Sequence, residues 1–147
     1  MRALVQRTGG CEVWIDNQLT AKTSAGLLVL FGTQTGDAEE SCATLADKVV
    51  NLRIYQDSDG KMNLSAIDTN AQIMIVSQFT LYADTRKGRR PAFTDAMEPV
   101  SAQKMYDLFV RQVTASGLVT ATGVFGAEMD LRFNNLGPVT IMLEHDV

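Results

Sequence analysis

At 147 residues, 46% of them apolar, and with a net charge of −4, the chain has the length and composition of one folded domain (1–147) with a sizeable core. The acidic balance argues against a protein that coats nucleic acid, and the short stretches between apolar runs argue against a disordered tail. Arg2, Arg7 and Glu12 interrupt the opening segment and the apolar run from Gly26 to Gly32 is too short to span a bilayer, so the expectation is a cytoplasmic chain with no membrane association.

In chain order, the alternation in Ala3–Gln6 and in Glu12–Ile15 predicts two early strands with Gly9-Gly10 as the turn between them. Asp16-Asn17 marks a second turn into a short strand from Leu19 to Thr23. Leu27–Phe31 is apolar at every position and predicts a strand buried on both faces, ended by Thr35-Gly36. Asp37 begins the first helix, with Glu40 at capping-box spacing and Cys42, Leu45, Ala46, Val49 and Val50 as its apolar stripe. Leu52–Tyr55 reads as a strand and Asp57–Gly60 as a tight turn. Ile73–Val76 is a second fully apolar strand, running directly into Ser77-Gln78-Phe79-Thr80-Leu81-Tyr82. Pro99 and Ser101 open a second helix whose buried face is Met105, Leu108, Phe109 and Val113, and Gly117 stops it. Leu118–Ala121, Met129–Asn134 and Val139–Glu144 complete the chain as strands. Two main helices among many strands predict an α/β fold around a large, mostly antiparallel or mixed sheet.

Cys11 and Cys42 are the only cysteines and His145 the only histidine, without CxxC or HExxH spacing. No disulfide framework, metal site or cofactor is therefore expected. If His145 stands outside the site, the Ser-His and Cys-His schemes are closed as well.

Three segments are candidates for chemistry. Ser77-Gln78-Phe79-Thr80 places hydroxyl and amide groups at the end of a buried strand. Thr80 could attack an ester, though no base is near it in sequence; the Phe79 or Thr80 backbone N–H could stabilise an oxyanion; or the polar groups simply cap the sheet. Asn134-Asn135-Leu136-Gly137-Pro138-Val139-Thr140 holds a Gly-Pro step that is either a plain turn or a device presenting backbone carbonyls to a ligand. Arg86, Lys87, Arg89 and Arg90 form a local basic loop, suited to a few phosphates or simply solvated.

Taken together, SQFTLY at 77–82 and NLGPVT at 135–140 closely resemble the paired motifs of the D-aminoacyl-tRNA deacylases, also called D-tyrosyl-tRNA deacylases. The opening Met1–Arg7, Gly26–Leu30, Asn51–Arg53, Gly60–Ser65, Asp84–Pro91 and Phe125–Met129 resemble the same family. Leu136 departs from it, standing where a polar residue is common. The resemblance implies that family's fold and a homodimer. It implies hydrolysis of the ester of D-aminoacyl-tRNA, and of glycyl-tRNA mischarged on tRNA(Ala), with tRNA and not DNA as partner. It also implies a cis Gly137-Pro138 peptide that enters the partner's site and rejects L-amino acids. Ser77, Gln78, Phe79 and Thr80 would line the aminoacyl pocket, and Phe125 and Met129 the adenine side. Asn135 and Thr140 would brace the corner, and the basic loop would face the acceptor stem. The resemblance further implies that the 2′-OH of the terminal ribose activates or orients the water, with Thr80 as acyl acceptor the rival scheme. An esterase for another acyl adduct and a non-catalytic RNA-binding or dimerisation module remain the competing functions.

Overall fold

A computed structural model describes residues 1–145. Its frame is one long hairpin. Strands β1 (Arg2–Ile15) and β2 (Gln18–Gly32) run antiparallel along their whole length. Asp16 and Asn17 join them with φ of 49° and 61°, the left-handed pair whose twist matches that of two-residue hairpins. β2 then pairs in parallel with β5 (Gln72–Ser77), and β5 in parallel with the short β6 (Thr120–Thr122). On the other side β1 pairs antiparallel with β7 (Asp130–Glu144), giving the mixed order β6-β5-β2-β1-β7. A small antiparallel pair, β3 (Tyr55–Gln56) with β4 (Met62–Leu64), lies apart from this sheet.

Alternation sorts the strand residues into two layers. Val5, Leu27, Val29, Phe31, Ile73 and Ile75 face the helices α1 (Glu40–Val50) and α3 (Pro99–Thr114), which bring Leu45, Val49, Phe109 and Val113 to the same core. Phe31 and Phe109 stack at 4.2 Å between centroids. Cys11, Val13, Leu28, Met74 and Val76 form a second, smaller cluster on the opposite face. Leu27–Phe31 is thus apolar throughout because both faces of β2 are covered, as its composition predicts. No helix among the described residues is long and apolar enough to cross a membrane.

Several sequence-based boundaries move, each for a physical reason. Gly9-Gly10 is no turn. It lies inside β1, where three steps of β1, from Thr8 to Cys11, oppose two of β7, from Asn135 to Phe133. The pair makes a β-bulge, with Gly10 at φ 145° and the Asn134 carboxamide accepting from the Gly9 amide at 3.2 Å. Leu19–Thr23 and Leu27–Phe31 are one strand because β1 accompanies both. Met129–Asn134 and Val139–Glu144 are likewise one strand, β7, interrupted by a bulge and not a reversal. α1 starts at Glu40 and not at Asp37, since the Asp37 carboxylate accepts from the Gln34 amide and from the Met1 ammonium instead of capping the helix. Only Tyr55 of Leu52–Tyr55 is in a strand, and Leu118–Ala121 shifts to β6. A short helix α2 (Ala66–Thr69) escapes the apolar pattern altogether; it is held by a Ser65/Asp68 capping box.

Both cysteines are buried. Burial pushes each thiol up to about 11, and the neighbouring carboxylates (Glu12 for Cys11, Asp37 and Glu39 for Cys42) push the same way. Because the thiolate is the reactive form, neither should react with a thiol-labelling disulfide reagent at about pH 8 in the native protein, and both should react after unfolding. A full equivalent of label taken up by the native protein would contradict this.

Candidate active site

β5 carries the polar motif out of the core. Its last rung pairs Ser77 with Phe31, and the Gln78 amide still donates to the Phe31 carbonyl at 2.7 Å. There the chain leaves the sheet, and Phe79–Tyr82 close into a single 3-10 turn. The Phe79 and Thr80 amides head this turn, where amide hydrogens have no acceptor within the turn itself. The Gln78 carboxamide nitrogen donates to the Thr80 hydroxyl oxygen. That partner is an amide, which cannot take the hydroxyl proton.

Beside this turn lies a cavity of about 640 Å³ between the sheet, the start of α3 and the Phe125–Met129 segment. Ser77, Gln78, Phe79, Phe125 and Met129 all line it. Phe31 and Tyr106 line its wall; the Tyr106 hydroxyl donates to the Ile75 carbonyl at 2.8 Å, and its ring lies 5.9 Å from that of Phe125. Burial raises the Tyr106 phenol well above its ordinary range, so it stays neutral and takes no part in proton transfer near neutrality. At the rim Glu98 caps α3, accepting from Val100 at 2.9 Å and Ser101 at 2.7 Å, and these bonds hold its carboxyl below the usual range. The helix therefore turns an occupied N-terminus toward the cavity.

The second motif is a corner pushed out of β7. From Gln6 to Thr8 β1 advances two residues while β7 runs from Thr140 to Asn135, so the intervening residues loop outward. Asn135 Nδ2 donates to Thr140 Oγ1 at 2.8 Å, and the Val139 amide donates to Asn135 Oδ1 at 2.7 Å. Val139 is buried in the main core and anchors the corner, while Leu136, Gly137 and Pro138 are exposed. The Gly137–Pro138 peptide is cis. Arg7 adds a second tie: its Nε donates to the Leu136 carbonyl at 3.0 Å, and its NH1 donates to the Ile54 carbonyl at 2.6 Å. Nothing in the sequence singles Arg7 out, since a cation in an alternating strand reads as an ordinary solvent-facing position.

The basic loop is closed at its base by an Asp84–Ala92 bridge with amide bonds of 2.8 and 2.9 Å. Arg86 grips Asp84 with two side-chain bonds of 2.9 and 2.8 Å, and this guanidinium holds the Asp84 carboxyl down to about 2. Arg86 is thus committed to its own loop, leaving Lys87, Arg89 and Arg90 exposed at the tip.

Of the residues singled out in the sequence, then, Ser77, Gln78, Phe79, Phe125 and Met129 meet at one cavity, with Thr80 adjoining. Asn135 and Thr140 meet each other. Gly137 and Pro138 do not line that cavity. Strands β2 and β1 separate β5 from β7, about 14 Å at the usual strand spacing.

The sequence profile described as D-Tyr-tRNA(Tyr) deacylase matches residues 4–144. A D-aminoacyl-tRNA deacylase of Halothermothrix orenii is 51% identical over 144 residues, covering 98% of this chain and 97% of its own. The D-aminoacyl-tRNA deacylase of Desulfotalea psychrophila is 44% identical over 146 residues, 99% of this chain and 98% of its own. Among solved structures, one described as a c-Myc DNA unwinding element binding protein superposes with a TM-score of 0.93 at 34% identity over 100% of both chains. Another, described as a probable eukaryotic D-amino acid tRNA deacylase, shares the fold with a TM-score of 0.80 at 19% identity over 97% of both chains. Fold and relatives together define a hydrolase of the D-aminoacyl-tRNA deacylase class. The chain belongs to the D-Tyr-tRNA(Tyr) deacylase family.

Proposed function

We propose that this chain, acting as a single domain in a cytoplasmic homodimer, hydrolyses the ester of D-aminoacyl-tRNA in the cavity beside Ser77–Thr80. The carrying observation is the convergence of Ser77, Gln78, Phe79, Phe125 and Met129 on one cavity of about 640 Å³. That volume is of the size that takes a small ligand such as an aminoacylated adenosine. The aminoacyl ester lies against the 3-10 turn, with the Phe79 and Thr80 amides at the developing oxyanion, and the adenine lies toward Phe125 and Met129. With an amide and not a base on the Thr80 hydroxyl, water is the attacking group. The 2′-OH of the terminal ribose orients that water, and the protein contributes position and fixed dipoles.

Selection of hand falls to the Gly137–Pro138 corner of the partner protomer. Its separation from the cavity within one chain supports this reading, as do the exposed Leu136–Pro138 and the long edge strand that carries them. Glycyl-tRNA mischarged on tRNA(Ala) is a further substrate, since glycine has no side chain for the corner to reject. RNA is the expected nucleic-acid partner; the description of one structural relative names a DNA unwinding element instead, and competition of tRNA by DNA separates the two.

D- and L-tyrosyl-tRNA incubated in parallel test the assignment: release from the D form alone is expected. Equal release from both would indicate a general esterase, and release from neither a binding module. Within the mechanism, Thr80→Ala is expected to keep most of the activity, whereas tRNA ending in 2′-deoxyadenosine should be cleaved on the order of a hundredfold more slowly. Complete loss in Thr80→Ala together with normal cleavage of the deoxy substrate would reverse the roles and make Thr80 the acyl acceptor.

A further inference from the structure

Phe79 and Phe93 stand out among the large apolar side chains of this chain. Both are exposed, 55% and 37% respectively, yet they touch: their ring centroids lie 4.9 Å apart at 68°, an edge-to-face pair. In such a pair one ring meets the other edge-on, so the two rings are not buried face to face against each other. Both side chains also line the mouth of the cavity. Phe93 directly follows Ala92, which closes the base of the basic loop, and Lys87, Arg89 and Arg90 stand at that loop's exposed tip. From bridge to tip is at most four residues, about 14 Å of extended chain. Part-exposed aromatic rings thus adjoin the cavity they help to line, and the chain that carries Phe93 leads back within a few residues to the exposed cations of the loop.

This sequence of surfaces matches the chemistry of a single-stranded nucleic-acid end, in which bases stack on aromatic rings and cations follow the phosphates. We infer that the Phe79–Phe93 pair is a stacking site for the base of the nucleotide next to the terminal one in a single-stranded RNA 3′ end, with the flanking phosphates held by Lys87, Arg89 and Arg90. The inference rests on the deacylase reading of the adjoining cavity, which takes the terminal nucleotide and its aminoacyl group. It gives the Phe79 side chain a role separate from that of its backbone amide, and it brings in Phe93, which the motifs do not include.

The test is a binding cycle that needs no catalysis. The dissociation constant of an uncharged acceptor-stem hairpin with an intact single-stranded 3′ end is compared with that of the same RNA lacking the base next to the terminal adenosine. Both RNAs are measured on the parent chain, Phe93→Leu and Phe93→Trp. Removing the base should weaken binding to the parent about tenfold, have almost no effect on Phe93→Leu, and regain its full effect in Phe93→Trp. An equal loss in the parent and in Phe93→Leu would overturn the site, as would no loss in the parent. Hydrolysis of D-tyrosyl-tRNA by the parent, measured alongside, reports separately on the deacylase reading: a parent chain that shows the binding cycle but releases no amino acid keeps the stacking site and loses the enzyme.

Discussion

Replacing Gly137 with alanine is expected to lower kcat/KM on D-tyrosyl-tRNA by about a hundredfold, the scale of a misplacement near 1 Å at a reacting centre. Gly137 holds φ at 134°, a conformation that side-chain-bearing residues rarely adopt. An added Cβ would stand 2.8 Å from Val139 Cγ2 and 3.1 Å from both the Val139 nitrogen and Arg7 NH2. Val139 is fixed in the core and Arg7 is tied to the Ile54 and Leu136 carbonyls, so the exposed corner must move instead. Because Leu136–Pro138 lie outside the core, the loss of stability should stay at about 1–2 kcal/mol, the ordinary cost of a left-handed non-glycine residue. Activity and unfolding midpoint measured on the same preparation check both halves. Parent-like turnover would mean that the position of this corner is irrelevant to the reaction.

Gly26→Ala should instead fail at the level of folding. Gly26 opposes Gln72 at the first rung of the parallel β2–β5 pair, and a Cβ there would lie 1.8 Å from the Gln72 carbonyl oxygen and 2.7 Å from its carbonyl carbon and amide nitrogen. These are backbone atoms in a hydrogen-bonded ladder, so no side-chain rotation relieves the overlap and the strands must separate. The same ladder carries β5 up to Ser77 and delivers the 3-10 turn to the cavity, so fold and site fail together. A loss above about 4 kcal/mol is expected, large enough to leave little native protein, and denaturant unfolding or soluble yield measures it. Parent-like stability would mean that the β2–β5 pairing can open without cost.

Much of this architecture can be read in the chain itself. The doubly buried β2 and β5 are visible because both faces demand apolar residues, and α3 because Pro99 and its apolar stripe mark its start and inner face. The motif at 77–80 shows because polar residues following a buried strand are out of place unless something uses them. The failures have local causes. Gly9-Gly10 signals a break in the ladder, and a glycine pair looks the same whether the chain reverses or bulges. The Gly137–Pro138 corner is hidden in the same way, since a bulge in a continuing strand and a turn between two strands use the same residues. Asp37 and Glu40 have the spacing of a capping box, but Asp37 accepts from the Gln34 amide three residues before it and from the distant Met1 ammonium, a long-range partner that no local pattern records. Arg7 and Phe93 gain their interest only from what the fold sets beside them.

In the proposed dimer, a pocket in one protomer is completed by a corner of the other. Mixed dimers test it most directly. One variant, Gly137→Ala, has a displaced corner and an intact pocket; the other, Ala127→Trp, has an intact corner and a side chain that fills the cavity its neighbours line. If the site is shared, mixing these two weakly active proteins through an unfolding and refolding step should restore about a quarter of the parent activity on D-tyrosyl-tRNA, because half of the dimers are then mixed and each holds one intact site. Activity no greater than the average of the two variants alone would contradict a shared site.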